Sequence, residues 1–277
     1  MECLSPRYIH KQDIVVPCGV CPFCAVTRRS DWSFRLHYEA KKHEQSHFLT
    51  LTYSNNNLTY DYGHPQLVKS DLQNFFKRLR KKGHKCRYFA VGEYGSKTYR
   101  PHYHIILFGN VPRNVIEKSW ARFNKRNQKY YAIGHVHFGK VTEQSVMYCL
   151  GYLVNARTWK MKHHRVPPFT TMSRRPGLGA NYLTKSMIEW HKSDRKNYVI
   201  QDGQKKHLPR YYKNKIFSKI DLVRISVRTQ KELFQQMVKK IRSPAMRKMK
   251  DPLKYINEQR KNTARKIRAA SKQNLII

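Results

Sequence analysis

His102-Tyr103-His104-Ile105-Ile106-Leu107-Phe108 is the stretch from which the rest of the chain is read. Four apolar residues in a row, bounded by polar ones, predict a buried strand. On an extended strand, residues two apart point to the same face. The imidazoles of His102 and His104 therefore project together, and Tyr103 points away. Two such imidazoles can hold one metal ion. The competing reading is a pair of structural histidines at a strand end.

Working upstream, Arg87 to Glu93 also reads as a strand, followed by a short polar stretch that contains Gly95, Ser96 and Lys97. A hairpin is the simplest connection to the histidine strand. Residues flanking a hairpin turn sit opposite one another, so Glu93 is expected to face His102 or His104. Two imidazoles and a carboxylate form a mixed nitrogen and oxygen donor set, which suits Mg²⁺ or Mn²⁺ better than thiolates do.

Downstream, Thr142 and Ser145 stand three apart ahead of a run with helical spacing, which predicts a capped helix N-terminus. Tyr148 and Tyr152 are four apart on that helix and share one face. Aromatics at this spacing are often core packing. Beside a metal strand they acquire a second meaning, because a phenol is a nucleophile. A free phenol has a pKa of about 10 and attacks poorly at neutral pH. A divalent ion that polarises a phosphate makes the attack feasible. A second pair, His135 and His137, rivals the first. It is followed by Phe138-Gly139-Lys140, not by a long apolar run, and no carboxylate lies across an obvious hairpin.

Charge narrows the class of partner. Lys and Arg total 56 of the 277 residues against 17 Asp and Glu, a formal net charge of +39. That field draws in phosphate backbones and releases their counterions, with anionic membrane surfaces as the competing partner. The 18 Tyr, 12 Phe and 4 Trp include rings able to stack on unpaired bases, although many must be core. No signal peptide and no apolar run of spanning length is seen, so no membrane association and a cytosolic site of action are expected.

In a reducing cytosol the six cysteines are expected as thiols or metal ligands, not disulfides. Cys18, Cys21 and Cys24 form CxxCxxC. Thiolates at this spacing can wrap one Zn²⁺, with Cys3 or His10 as a fourth ligand. The alternative is reduced cysteines in a tight turn before the next helix.

Periodicity organises the remainder. Residues 27 to 44 read as a helix with Trp32, Leu36 and Ala40 on one stripe, and Phe48 to Tyr53 as a strand. Ser70 is the expected cap of a helix through Leu72, Phe75, Phe76 and Leu79 that ends near Gly83. A helix over Val115 to Asn124 and a strand over His135 to Val141 follow. Residues 157 to 212 are basic and rich in Pro and Tyr, with Gly177 and Gly179 marking a sharp turn or a close approach. A capping box at Thr229 and Glu232 predicts a helix over 229 to 242. The last thirty residues are basic, a solvated helix or an arm on DNA. Together these elements predict an α+β fold, a mostly antiparallel sheet with helices on one face, and a basic helical C-terminal extension.

Several stretches in order carry a resemblance. They are Pro17-Cys18-Gly19-Val20-Cys21 with Cys24, Phe48-Leu49-Thr50-Leu51-Thr52-Tyr53, Gly92-Glu93-Tyr94-Gly95, Arg100-Pro101-His102-Tyr103-His104, the Tyr148/Tyr152 helix, and Ser173-Arg174-Arg175-Pro176-Gly177-Leu178-Gly179. Across roughly residues 15 to 185 the chain resembles the replication initiation proteins of microviruses, especially the gokushovirus branch, within the HUH endonucleases. The resemblance implies a central histidine strand and three segments: 1–45 with the Cys motif and first helix, 46–200 as the catalytic domain, and 201–277 as a basic DNA-binding extension. It implies rolling-circle initiation by nicking and rejoining single-stranded origin DNA in the bacterial host cytoplasm. Metal binding then falls to His102 and His104, joined by Glu93, and the nucleophile role to Tyr148 and Tyr152. Host polymerase and helicase are the implied partners. One departure stands out: the wider group often has a lysine just before the second tyrosine, where this chain has Gly151. The rival is a basic zinc- and DNA-binding or packaging protein without chemistry. Within enzymes, the rivals are a relaxase or a single-strand transposase.

Overall fold

The computed structural model describes residues 3–12, 14–155, 164–201 and 203–273. They divide into two compact units. One is drawn from Met1–Asp31 and Asn181–Ser271, and the other from Trp32–Ala180. The division falls within helix α1, Pro22–Ala40.

The unit of residues 32–180 is built on five strands: β1 Ser46–Thr52, β2 Arg87–Tyr94, β3 Pro101–Phe108, β4 Val136–Gly139 and β5 Phe169–Met172. Their order is β4-β1-β3-β2-β5, and every pairing is antiparallel. The histidine strand β3 lies at the centre. Besides α1, this unit carries α2 Lys69–Lys81, α3 Arg113–Ser119 and α4 Glu143–Asn155. The fold is α+β, as expected.

Helices cover both faces of the sheet, not one. Leu49, Leu51, Tyr103, Ile105 and Leu107 pack with Leu72, Phe75 and Phe76 of α2 and Ile116 of α3. On the other face, Phe89, Val91, Ile106 and Phe108 pack with Leu36 of α1 and with Cys149 and Leu150 of α4. The cause is visible in β3, where both the odd and the even residues from Ile105 to Phe108 are apolar. A strand with two apolar faces must be covered twice.

Several boundaries differ from the periodic reading. Helix α1 begins at Pro22, five residues early, because proline is favoured in a first helical turn where its missing N–H is not needed. Ser70 does not cap α2. The helix starts at Lys69, and Val68 is held instead by the Tyr103 hydroxyl, which accepts from Val68 N at 2.8 Å and donates to Val68 O at 3.0 Å. Helix α3 stops at Ser119 instead of continuing to Asn124. The buried Trp120 donates from its indole to Thr52 O at 2.8 Å, and the chain continues as a hairpin, Ala121–Asn124 with Lys129–Ala132. The cap of α4 is as expected: Thr142 Oγ1 accepts from Ser145 N at 3.2 Å, and Ser145 Oγ accepts from Thr142 N at 2.9 Å.

The Gly177-Gly179 turn makes its close approach to a carboxylate. Gly179, at φ +76°, donates its N–H to the buried Glu39 at 2.7 Å. Arg35 and Arg87 donate to Leu178 O and Pro176 O.

The second unit is mainly helical: α5 Lys185–Ser193, α6 Arg210–Ile216, α7 Lys219–Ile241, the short α8 Pro244–Arg247 and α9 Pro252–Gln273. Two hairpins join them, Arg7–Ile9 with Ile14–Val16 and Tyr198–Gln201 with Gln204–His207. Helix α7 starts ten residues before the expected capping box. Ser218 is its cap, accepting from Asp221 N at 3.1 Å. Thr229 is mid-helix and bonds back to Ile225 O. No helix among the described residues is long and apolar enough to cross a membrane.

Candidate metal centre and nucleophile helix

Strand register assembles the site. In the β2–β3 hairpin, Glu93 stands directly opposite His102, and His104 follows two residues along on the same face. Glu93 Oε1 lies 3.0 Å from His102 Nε2 and 2.9 Å from His104 Nε2. The three residues offer ligand atoms within 4.8 Å of one another, enough to hold a metal ion. Tyr103 points to the opposite face, where its hydroxyl lies 2.9 Å from that of Tyr53.

The rings are fixed from behind. His102 Nδ1 sits 3.0 Å from Arg100 O, and His104 Nδ1 sits 3.0 Å from Thr50 Oγ1. Partners of this kind orient a metal-binding imidazole. Phe48 stacks on His104, with ring centroids 5.6 Å apart and an interplanar angle of 7°. Thr50 escapes a motif search, yet the alternation Phe48-Leu49-Thr50-Leu51-Thr52 signals it. It is a hydroxyl on the same strand face as Phe48, and β1 pairs Thr50 with His104.

The two imidazoles differ in charge. A carbonyl and a carboxylate can only accept, so His102 carries a proton on each nitrogen in this arrangement. Burial opposes that charge, but the hydrogen bond to Glu93 outweighs it and holds the His102 pKa above the ordinary value. For His104 burial wins, and the pKa falls. Glu93 is only 3% exposed. Burial pushes its pKa up, yet the two imidazoles more than offset this and hold it below the usual carboxylate range. A cation at this point would take the place of the proton on His102 Nε2. The donor set fits one, since three protein ligands leave positions open for an outside group.

Helix α4 brings Tyr148 to this end of the sheet. Its ring centroid is 5.0 Å from that of His104, edge to face at 85°. Cys149 and Leu150 are buried in the core beside it, which sets the rotation of the helix. Tyr152 lies one turn further along α4, but its side chain is outside the described residues. Gly151 is also in α4. The rival pair is separate: His135 and His137 are exposed and border or lie on the edge strand β4, and neither belongs to a three-ligand group among the described residues.

The second group with ligand geometry is Cys3, Cys18, Cys21 and Cys24. Of the two expected completions of the cysteine motif, the structure brings in Cys3. His10 instead stacks edge-on against Tyr8.

Comparison with known proteins agrees with this geometry. The family model for the replication-associated protein ORF2 group matches residues 46–157, a span that includes Glu93, His102, His104 and Tyr148. Replication-associated protein ORF2 of Spiroplasma virus 4 is 30% identical over 218 residues, covering 71% of this chain and 66% of its own length. The chain belongs to the phage replication-associated proteins. Among these, replication-associated protein VP4 of Bdellovibrio phage phiMH2K is 26% identical over 76% of this chain and 70% of its own. Replication-associated protein ORF4 of Chlamydia phage 1 is 28% identical over 72% of this chain and 53% of its own. No solved structure matches.

Proposed function

We propose that this replication-associated protein is a rolling-circle initiator: a metal-dependent, site-specific endonuclease and ligase for single-stranded origin DNA. The observation that carries the reading is the Tyr148 phenol ring, 5.0 Å from the ring of His104, at a group of three metal-binding side chains. The net charge of +39 supplies the affinity for a phosphate backbone.

Glu93, His102 and His104 would hold Mg²⁺ or Mn²⁺, and the ion when bound polarises the scissile phosphate. Arg100 and Thr50 keep the imidazoles aimed. The phenol oxygen of Tyr148 or Tyr152 attacks phosphorus and loses its proton. The P–O3′ bond breaks, the 3′ oxygen leaves as a hydroxyl, and the 5′ phosphate stays esterified to the tyrosine. Rejoining is the reverse attack by a 3′-OH and needs no ATP, because the ester keeps the bond energy. The free 3′-OH primes a host polymerase while a host helicase opens the duplex, in the bacterial cytoplasm. Two tyrosines a turn apart allow a second cleavage while the first end is still held.

The test is nicking of single-stranded circular DNA carrying the origin of the encoding genome. The expected product is a linear strand with a free 3′-OH and the protein on its 5′ end, formed only with Mg²⁺ or Mn²⁺. Tight binding with no adduct at any metal concentration would favour a packaging role.

A further inference from the structure

The four cysteines near the N-terminus lie outside the site described so far. We propose that Cys3, Cys18, Cys21 and Cys24 close around one structural Zn²⁺, and that this centre anchors the basic C-terminal helix α9.

The sulfur spacing is that of a single tetrahedral ion. Cys21 Sγ is 3.8 Å from Cys3 Sγ, and Cys18 Sγ is 4.0 Å from Cys24 Sγ. All four sulfurs lie within 4.8 Å of one another. Four thiolates at about 2.3 Å from a central zinc stand about 3.8 Å apart. A disulfide needs about 2.05 Å, and all six cysteines are free. A polynuclear iron–sulfur cluster would force its thiolates further apart, because the cluster itself sits between them.

The backbone is shaped to hold thiolates. Gly19 takes φ +76°, a left-handed turn that glycine adopts without strain. The turn folds Cys21 N back to donate to Cys18 Sγ at 3.3 Å, while Cys18 N donates to Cys3 Sγ at 3.2 Å. Arg28 pins the turn by donating to Gly19 O at 2.7 Å. Without a cation the set is mismatched. Burial opposes ionisation of Cys18, but the N–H groups of Val20 and Cys21 hold its thiol down at about 6. Burial, reinforced by the neighbouring sulfurs, pushes Cys24 up to about 12. Four buried sulfurs carry four charges together only when an ion sits among them.

The anchoring follows from the neighbours. Ala264 and Ile267 of α9 pack on this cluster together with Phe23 and Leu4. Arg260 of α9 donates to Cys3 O at 3.1 Å. This apolar patch is small, and a small core is where a bound ion takes over the work of burial. Four protein ligands fill the shell, so the role is structural.

The full-length protein, purified from cells without added metal, should contain one zinc per chain. The His102→Ala/His104→Ala variant should keep it, which separates this ion from any metal at the replication site. Replacement by Cd²⁺ should give the ultraviolet charge-transfer band of a tetrathiolate. Cys3→Ser should weaken that band and accelerate amide exchange in α9 while leaving the central sheet unchanged. If Cys3→Ser does not fold, zinc content and the Cd²⁺ band of the unmodified protein still decide the matter. Absent zinc, iron in its place, or zinc lost with the histidine variant would overturn the proposal.

Discussion

The two ligand clusters are built by opposite means. Glu93, His102 and His104 sit on two eight-residue strands at the middle of a five-stranded sheet. Their positions follow from register, and residues such as Leu49, Ile105 and Phe89 bury the strands with no help from a metal. The four cysteines sit on loops and at the start of a helix, beside three-residue strands. Little apolar surface holds them in place. The first cluster has three mixed nitrogen and oxygen donors and is open to a substrate. The second has four sulfurs and is closed. Where the fold places the ligands, the metal is free to do chemistry. Where the metal places the ligands, its role is the fold.

The largest expected effect is on the open cluster. His102→Ala/His104→Ala should lower the nicking rate by roughly 10³-fold or more, since a metal's charge stabilisation is worth several kcal/mol. Binding of single-stranded DNA should survive, because it rests on the spread of positive charge. Both are read on one labelled oligonucleotide, by product gel and by filter binding. Full nicking by the double variant would break the contrast between the clusters.

Next in size is loss of the nucleophile. Tyr148→Phe and Tyr152→Phe should each leave some covalent adduct, and the double variant should leave none. Strand transfer that needs two covalent ends should fail in either single variant. Peptide mapping of the adduct checks this, and attachment at Tyr130 or Tyr182 would detach the chemistry from α4.

A smaller effect sharpens the assignment of ligands. Glu93→Gln keeps the shape and removes the charge, so nicking should need on the order of tenfold more metal or above. Cys3→Ser, acting on the closed cluster, should leave that metal titration where it was. An unchanged titration in Glu93→Gln would send the search for a third ligand to the His135/His137 strand.

The smallest effect comes from a buried carboxylate with a purely structural role. Glu39 is as enclosed as Glu93, but it is satisfied by Gly179 N, His43 and Arg87. Burial raises its pKa, yet these partners outweigh burial and hold it low. A depressed carboxyl contributes stability that is complete above the unfolded value of about 4.3 and is lost as pH falls through the folded one. Thermal melts should therefore show Glu39→Gln about 1–3 kcal/mol less stable at neutral pH, with the gap closing in acid. Its metal requirement should not move.

Much of the central sheet is legible because its signals are local. Alternation by two placed His102 and His104 on one face, a short hairpin brought Glu93 opposite, and Thr142 with Ser145 marked the start of α4. These depend on neighbours a few residues away, and backbone geometry relates them directly.

What the tertiary structure alone decided lies at long range. Nothing near Ser119 announces that the helix ends there; the Trp120 indole reaches Thr52, 68 residues away. Ser70 lost its role as a cap because the Tyr103 hydroxyl, 35 residues on, holds Val68. Two-sided coverage of the sheet is written in the unbroken apolar run of β3, but which helices supply it depends on packing. Cys3, fifteen residues before Cys18, joins the other three cysteines only once the chain has folded back. By itself the sequence determined the strands, the histidine pair, the capped tyrosine helix and the excess of positive charge, because each follows from spacing or composition. The third dimension decided where helices stop, which carboxylate is a ligand and which a strut, and which cysteine completes the set, because those outcomes turn on contacts between residues far apart in the chain.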